Sequence, residues 1–469
     1  MGTQATHSSS DLFSKVIGLF NEKDSDLNYA DMEKRKILVR KVEALRIEVL
    51  KCGDSIDDVT RVLDEKGVEL LSEYPDGSAG VELLSQLSSE PVLALEVFRW
   101  RQRRGADIRM TTEEYSKGIK IAGRLKSTDI ASQFFAEAVD EKIKSVSLYN
   151  ALMGAYMFND SVDKCQSLFE ELKCDPDCSP TIVTYNILLS LFAHMMLVGH
   201  METTFSEMKN FDLSPNLNTY NILMAGYVTA WMWDSMERTL SLMKASILDP
   251  DRTTHLIMLR GYAHSSNIPK MEETYDLVKD KFAEKDAVII RLMITAYCKS
   301  ELTDRVEKIE ALLNVIPESE YRPWLNVMLI KVYAQEGLLQ TMEMFIDQAF
   351  ARNTVVISTH IMRAIITSYY RSNALDRFER FVTRAESSGW KICRSLYHCK
   401  MVMYGVRNRF KDMENVLNEM DACHLDPTRR TYLIMSQAYM KCGDISKVKQ
   451  VCGMMFKHGY NVPMHIGSS

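Results

Sequence analysis

A tyrosine or phenylalanine returns every 35 or 36 residues along two thirds of this chain. The nine positions are Tyr156, Phe192, Tyr227, Tyr262, Tyr297, Tyr333, Tyr369, Tyr404 and Tyr439. A period of about 20 to 50 residues is typical of an array in which one supersecondary unit repeats and buries its apolar face only against its neighbours. The spacing therefore predicts a solenoid whose function lies on a long repeated surface.

Each period contains two helical patterns. In residues 146–181, apolar side chains recur at spacings of three and four residues from Tyr149 to Tyr156 and again from Cys165 to Leu172. Residues 159–161 predict the turn between them, and prolines such as Pro215 end the second helix because proline lacks a backbone donor. The unit is thus a helix hairpin. We predict ten hairpins that begin at residues 112, 146, 182, 217, 252, 287, 323, 359, 394 and 429, with the array ending near Pro463.

Two of these hairpins carry a family resemblance. Residues 183–189 read Val-Thr-Tyr-Asn-Ile-Leu-Leu and residues 218–224 read Asn-Thr-Tyr-Asn-Ile-Leu-Met, and each hairpin ends in a proline pair, Pro215-Asn216 or Pro250-Asp251. The second helices begin with bulky residues, such as Met201, where a tetratricopeptide repeat needs small ones. Over about three quarters of its length the chain resembles the pentatricopeptide repeat family, in its P-type plant organellar subfamily. The resemblance implies an all-α fold, a right-handed superhelical α-solenoid of about ten helix-turn-helix repeats.

Composition argues against several other classes of protein. Eleven prolines in 469 residues, 46% hydrophobic residues and the lack of an apolar run of about 18 residues predict a soluble helical chain without a membrane span. The ten cysteines lack a disulfide framework or zinc-ligand spacing, so we expect free thiols and no metal. Phosphate-loop, nucleophile-elbow and metalloprotease motifs are also missing from the sequence. We therefore expect no enzyme activity, no cofactor and no small-molecule substrate.

The chain divides on composition into four predicted segments. Residues 1–30 predict a disordered or targeting segment, residues 31–111 a helical N-terminal cap with one degenerate repeat, residues 112–463 the array, and residues 464–469 a tail. Acidic residues among the first 30 are unusual for a transit peptide, which is normally poor in acids. Because members of the family usually act in organelles, we expect a mitochondrial location, with the chloroplast as the alternative and the cytosol left open.

The resemblance also implies which residues read RNA bases. In this family the residue after the first-helix tyrosine and the last residue of the repeat read one base per hairpin with hydrogen-bonding side chains. Carried over by position, the pairs are Asn150 with Thr181, Asn186 with Asn216, and Asn221 with Asp251, while Val183 and Asn218 flank the bases. By the family's pattern, asparagine with aspartate favours uracil, and two asparagines favour pyrimidines. The alternative is that these residues only cap helices and satisfy turns.

The other hairpins depart from this pattern. Their pairs are Leu256 with Asp286, Arg291 with Arg322, Val327 with Ser358, Arg363 with Cys393, His398 with Thr428, and Leu433 with Pro463. Cations lie on the same first helices, and we predict that they contact RNA phosphates without reading sequence. The candidates are Arg260, Arg291, Lys299, Lys331, Arg363 and Arg371, in a row that also includes Arg124, His264 and Lys441. The alternative is that these are ordinary solubilising charges.

These patterns favour non-catalytic binding of single-stranded RNA in organelle RNA metabolism, namely transcript stabilisation, splicing or translation. The contacts would lie on the concave face of the solenoid. The alternative function is a scaffold or ribosome-associated protein that binds structured ribosomal RNA, or protein subunits of an organellar ribonucleoprotein, with little base specificity. With 57 basic and 63 acidic residues, the chain as a whole lacks the positive charge of a general nucleic-acid binder.

Overall fold

The computed structural model describes residues 29–53, 55–104, 109–281, 287–316 and 321–461. All regular secondary structure in these ranges is helical. The described residues fall into two compact units, one that runs to Ser265 and includes Lys270–Val278 (unit 1) and one made of Ser266–Pro269 and the described residues from Lys279 onward (unit 2). The predicted targeting segment and tail lie almost wholly outside the described residues.

Unit 1 begins with helices that precede the repeats. They are α1 (Tyr29–Lys51), α2 (Ile56–Val62), α3 (Val68–Glu73), α4 (Ser78–Gln86) and α5 (Pro91–Arg103). A π-helical turn, Leu63–Gly67, joins α2 to α3, so the two helices form one continuous run with an inserted turn. Trp100 explains the turn: its Nε1 donates to Asp64 Oδ1 at 2.8 Å, and a Cβ at Gly67 would lie 2.9 Å from the indole. Whether residues 31–111 act as a cap stays a prediction.

Unit 1 then contains five helix hairpins, except that residues 266–269 of the fifth are assigned to unit 2. Their first and second helices are α6 (Thr112–Arg124) and α7 (Thr128–Asp140), α8 (Val146–Phe158) and α9 (Val162–Cys174), α10 (Ile182–His194) and α11 (Val198–Asn210), α12 (Leu217–Thr229) and α13 (Trp233–Ala245), and α14 (Arg252–Ser265) and α15 (Ile268–Asp276).

Unit 2 contains the other five hairpins. They are α16 (Ala287–Lys299) and α17 (Arg305–Leu313), α18 (Pro323–Gln335) and α19 (Leu339–Ala351), α20 (Thr359–Arg371) and α21 (Leu375–Ser387), α22 (Arg394–Val406) and α23 (Phe410–Ala422), and α24 (Arg429–Cys442) and α25 (Ile445–Lys457). The first helices of both units begin at the ten predicted residues. The all-α solenoid of helix hairpins is therefore confirmed, while its right-handed coiling stays a prediction.

The turn inside most hairpins contains a residue with positive φ. In unit 1 this residue is Asp160, Met196 or Trp231 in three consecutive hairpins, with φ of 53°, 56° and 62°. In unit 2 four of the turns use Gly337, Asn373, Asn408 and Gly443 instead. Glycine and asparagine adopt the left-handed region at low cost, whereas a large apolar side chain does not. Met196 and Trp231 are thus unusual occupants of this turn position.

The periodic aromatic residues are packing elements. All nine are buried, none more than 8% exposed. Several hydroxyls bond the preceding hairpin's second helix: Tyr439 donates to Glu414 Oε1 at 2.5 Å and Tyr227 donates to Glu202 Oε1 at 3.0 Å. Glu414 also accepts from Lys447 Nζ of the following second helix at 2.7 Å. One carboxylate on a second helix therefore joins its own hairpin to both helices of the next hairpin.

The bulky second-helix methionines pack closely against the next hairpin because glycine lies opposite them. A Cβ on Gly226 would lie 2.6 Å from Met201 Sδ, and a Cβ on Gly261 would lie 2.4 Å from Met236 Sδ. Met201 and Met236 are fully or almost fully buried in these contacts. In the described ranges, no helix is both long and apolar enough to cross a membrane.

Candidate nucleic-acid interface

The N-terminal turns of the first helices in unit 1 are tied together by polar side chains. Asn216 is the N-cap of α12, and its Oδ1 accepts from the backbone N–H of Thr219 at 2.9 Å. Asp251 lies at the same place before α14, where its Oδ1 accepts from the backbone N–H of Thr254 at 2.7 Å. These bonds satisfy donors that the first turn of a helix leaves unpaired. Asn216 and Asp251, which the sequence predicts to read a base from the last position of a repeat, are thus helix caps.

Each cap also contacts the predicted partner asparagine of the preceding first helix. Asn186 Nδ2 donates to Asn216 Oδ1 at 3.5 Å, and Asn221 Nδ2 donates to Asp251 Oδ1 at 3.3 Å. The structure therefore brings both members of these two pairs together. Asn186 and Asn221 are only 2% and 1% exposed, whereas Asn216 is exposed and Asp251 is half-buried. The caps are the accessible members of the pairs.

A threonine completes each link. Thr219 Oγ1 lies 2.8 Å from Asn186 Oδ1, and Thr254 Oγ1 lies 2.7 Å from Asn221 Oδ1. Because the cap oxygens already accept two N–H groups, we assign the single threonine hydroxyl proton to the asparagine Oδ1 in each case. Asparagine, threonine and cap thus form a closed network that fixes the rotamer of every member.

The network leaves a different group on each cap. Asn216 Oδ1 is saturated, so its amide N–H groups are what it can present to a ligand. Asp251 Oδ1 is saturated as well, so its second carboxylate oxygen, an acceptor only, remains. Neither of these remaining groups has a protein partner among the described residues. Two neighbouring hairpins therefore offer opposite hydrogen-bonding chemistry at equivalent positions.

The first predicted pair is arranged differently. Asn150 is half-buried, and its Oδ1 accepts from Thr184 Oγ1 at 2.8 Å. Thr181 is the exposed N-cap of α10, with its hydroxyl 3.3 Å from that of Thr184. Thr184 thus lies between the two residues of the pair. A hydroxyl both donates and accepts, so Thr181 offers no fixed polarity to a ligand.

The predicted flanking residues lie in the first turn of the helices, two residues after the N-cap. Val183 and Asn218 are both half-buried at the second position of α10 and α12. The Oδ1 atom of Asn218 is buried and has no hydrogen-bond partner within the described part of the chain. A buried unsatisfied amide oxygen is costly, which suits a position that a ligand completes.

The predicted phosphate-binding residues fall into two groups. Lys299, Arg363 and Arg371 are exposed and Lys331 is half-buried, so these side chains are accessible. Arg260 and Arg291 are buried, at 7% and 6% exposure. Burial, together with the nearby charge of Arg322, lowers the pKa of Arg291 from its usual value. Phosphate contact by these six residues stays a prediction, and its support is stronger for the accessible four.

One link of the same kind lies in unit 2, where the sequence interpretation placed none. His398 occupies the asparagine position of α22, and its Nε2 lies 2.9 Å from Thr431 Oγ1 of α24. Thr431 in turn accepts from the backbone N–H of Thr428, the N-cap, at 2.9 Å. The signal in the sequence is the threonine three residues after the cap, which recurs at Thr184, Thr219, Thr254 and Thr431.

Two of the remaining departing pairs have an apolar side chain at the asparagine position. Leu256 is buried and Val327 is half-buried, and an apolar side chain cannot hydrogen-bond a base edge. Asp286 and Pro463 lie outside the described residues. Within the described ranges, no cluster of three or more His, Cys, Asp or Glu side chains could hold a metal ion, and the ten cysteines are free thiols.

Stacked helix hairpins with a row of linked polar caps define the class of helical-repeat proteins. Models of the "PPR repeat family" match residues 144–194, 180–229 and 215–264, and a "PPR repeat" model matches residues 430–460. The chain is 50% identical over 423 residues to the pentatricopeptide repeat-containing protein At2g30780 of Arabidopsis thaliana, covering 90% of this chain and 94% of that one. It belongs to the pentatricopeptide repeat family.

Two further similarities are more limited. The chain is 36% identical over 121 residues, 24% of each protein, to the chloroplastic pentatricopeptide repeat-containing protein PPR5 of Zea mays. It is 17% identical to the pentatricopeptide repeat protein PPR10, solved in complex with an 18-nt psaJ RNA element, with a TM-score of 0.37. That match covers 90% of this chain, which spans just under two thirds (64%) of the PPR10 chain.

Proposed function

We propose that the protein binds single-stranded RNA without catalysis, as a P-type pentatricopeptide repeat protein of an organelle. The observation that carries the proposal is the polarity of the two caps in unit 1. Asn216 presents N–H donors and Asp251 presents a carboxylate acceptor, in consecutive hairpins and at equivalent places. Sequence-selective recognition of RNA requires such fixed groups facing the edges of unpaired bases.

The polarity supports a specific base at each hairpin. An acceptor at Asp251 matches uracil, whose N3 carries a hydrogen, whereas donors at Asn216 match cytosine, whose N3 is an acceptor. Asn186 and Asn221 are too deeply buried to offer much surface, so in this proposal they orient the caps and lie beneath the base. Asn150 with Thr181 and the flanking Val183 and Asn218 complete the base-contacting set.

Phosphate contacts would come from the accessible cations of unit 2. Lys299, Lys331, Arg363 and Arg371 would hold the backbone of the strand. Arg291, buried on the same first helix as Lys299, and Arg260, buried on α14 of unit 1, complete the predicted phosphate-binding set. Contacts of this type carry no sequence information but strengthen binding. For location, we propose the mitochondrion, with the chloroplast as the alternative that the name of the maize relative supports.

Exchanging the cap polarity tests the proposal. We expect the protein to bind oligo(U) and oligo(C) more tightly than oligo(A) in fluorescence anisotropy titrations. Asp251→Asn should shift the ratio of affinities for oligo(U) and oligo(C) toward oligo(C) by about tenfold, since one base-edge contact is worth roughly 1–3 kcal/mol. Asn216→Asp should shift the ratio toward oligo(U).

A matched control is Asp249→Asn, which removes a nearby carboxylate without touching a cap. An unchanged preference in Asp251→Asn together with normal affinity would contradict base reading by the caps. Absence of any RNA affinity at moderate salt would instead favour the alternative function, a scaffold for protein or structured ribosomal RNA.

A further inference from the structure

Three consecutive hairpin turns of unit 1 expose large apolar side chains. They are Phe158, Met195, Met196, Trp231 and Met232, which together we name the turn edge. Trp231 is 61% exposed and Met196 is 56% exposed. The turns occupy equivalent places in successive hairpins of one unit, so the five side chains follow one side of the stack. Exposed apolar patches of this kind mark interaction sites.

The backbone conformation at two of these residues indicates that folding alone does not explain their large side chains. Met196 and Trp231 occupy the left-handed turn position, which glycine or asparagine fills at four turns of unit 2. A large apolar residue at this position is unfavourable for the backbone and unfavourable again because it is exposed to water. Strain that local structure does not require points to a function.

The largest of these side chains is also held in place. The indole of Trp231 packs against the rings of Trp233 and His264, with centroids 5.8 Å and 5.7 Å apart. An aromatic side chain that is fixed before binding loses little entropy when it is covered, and this is the behaviour of interface anchors.

The chemistry of the turn edge favours protein over RNA. Residues 158–161, 195–198 and 230–234 contain no lysine or arginine, and RNA binding depends on cations beside the stacking surface. Aromatic residues and methionine are the types that are enriched in the centre of protein interfaces. The turn edge is thus complementary to another apolar surface of the same composition.

A second copy of the chain supplies such a surface. If a fully exposed side chain of this size contributes about 200 Å², the five residues expose roughly 500 Å². Two turn edges in contact would then bury about 1,000 Å², which is the lower limit for a specific and weak interface. We propose that the turn edge binds the turn edge of a second copy, forming a two-fold symmetric dimer that dissociates on dilution.

Sedimentation velocity of the full chain tests this proposal. Between about 1 and 100 µM, we expect the weight-average sedimentation coefficient to rise from the monomer toward the dimer value, as for a dissociation constant on the order of 10 µM. Trp231→Asn and Met196→Asn place the residue found at equivalent turns of unit 2, so the fold is retained. Each should weaken association at least tenfold, with unchanged helical content by circular dichroism.

Phe456→Asn is the matched control, because Phe456 is 81% exposed but lies on α25 of unit 2 and not on the turn edge. It should associate like the unsubstituted chain. A chain that stays monomeric at the highest concentration, or a Trp231→Asn variant that dimerises normally, would overturn the proposal. So would a Trp231→Asn variant with unchanged sedimentation and reduced affinity for oligo(U), since that result assigns the indole to RNA.

Discussion

At the scale of single residues, His398 makes the stability of the protein depend on pH. Burial, followed by the charges of Arg430 and Arg394, lowers the pKa of His398 below its ordinary value of 6.5. The unfolded chain therefore binds the proton more readily than the folded chain does, and stability falls as the pH drops through and below about 6.5. His398→Asn keeps a hydrogen-bond acceptor for Thr431 and has no group that titrates in this range.

Thermal unfolding of the two proteins between about pH 7.5 and 5.5 measures this effect, because the other nine histidines are common to both. We expect the melting temperature of the unsubstituted chain to fall more steeply than that of His398→Asn. Parallel curves would show that His398 is protonated as easily in the folded protein as in the unfolded one.

The positions of the candidate site residues follow from the sequence, but their chemistry does not. The repeat period identifies Asn186 and Asn221, and in the structure each lies within hydrogen-bond distance of its paired cap. What the sequence could not supply is which lone pairs and hydrogens remain after the internal bonds are made. That depends on Thr219 and Thr254, whose hydroxyls decide how the asparagine amides are oriented. His398 was missed because it differs chemically from asparagine while occupying the same network.

At the scale of the helical elements, the sequence predicts position well because the period and the caps act together. Polar caps such as Thr181, Asn216 and Thr428 each lie directly before a first helix, and all ten first helices begin where the period places them. The π-helical turn at Leu63–Gly67 was not predictable, since it depends on Trp100, 33 residues further along the chain than Gly67. Close contact between Met201 and Gly226 was likewise hidden, because it joins different hairpins.

Two glycines of first helices test the contact between hairpins. In Gly226→Ala, the added methyl would lie 2.6 Å from Met201 Sδ and 2.9 Å from Ala193 Cβ. Overpacking of this kind costs about 1–3 kcal/mol, which outweighs the roughly 1 kcal/mol that alanine gains in a helix. We therefore expect Gly226→Ala to lower the melting temperature.

Gly154→Ala is the control, because a Cβ there would meet nothing within 4 Å. The helix gain of roughly 1 kcal/mol then acts alone, and the melting temperature should rise. If the melting temperature of Gly226→Ala also rises, the contact with Met201 does not require glycine at position 226.

At the scale of the whole molecule, the accessibility of the charged side chains is the property that the sequence predicts least well. The net charge of −6 hides how the cations are distributed, and the predicted phosphate row did not distinguish buried from accessible arginines. Arg260 and Arg291 lie on first helices at positions that the neighbouring helices cover, whereas Arg363 and Arg371 remain exposed. Exposure is set by packing between hairpins, which the period alone does not specify.

The accessible cations predict a salt dependence. If Arg363 and Arg371 each hold one phosphate, replacing either by alanine should weaken binding to oligo(U) and oligo(C) equally. The slope of log affinity against log salt should then fall by about 0.7 for each phosphate of the single strand that is no longer neutralised. Anisotropy titrations at several salt concentrations measure the slope. Arg380→Ala, on the second helix α21, is the control and should leave it unchanged.

The carboxylates that join neighbouring hairpins have a consequence for how repeats can be added to such a chain by gene duplication. Glu414 on one second helix meets Tyr439 and Lys447 of the next hairpin, and Glu379 meets Arg409 while Glu343 meets Arg377 in the same relation. The hairpins that begin at residues 359 and 394 thus each carry an acceptor for the following hairpin and a donor for the preceding one. Tandem duplication of one of these two hairpins would therefore give a matched junction on both sides, so a new copy could be added without a new interface having to evolve.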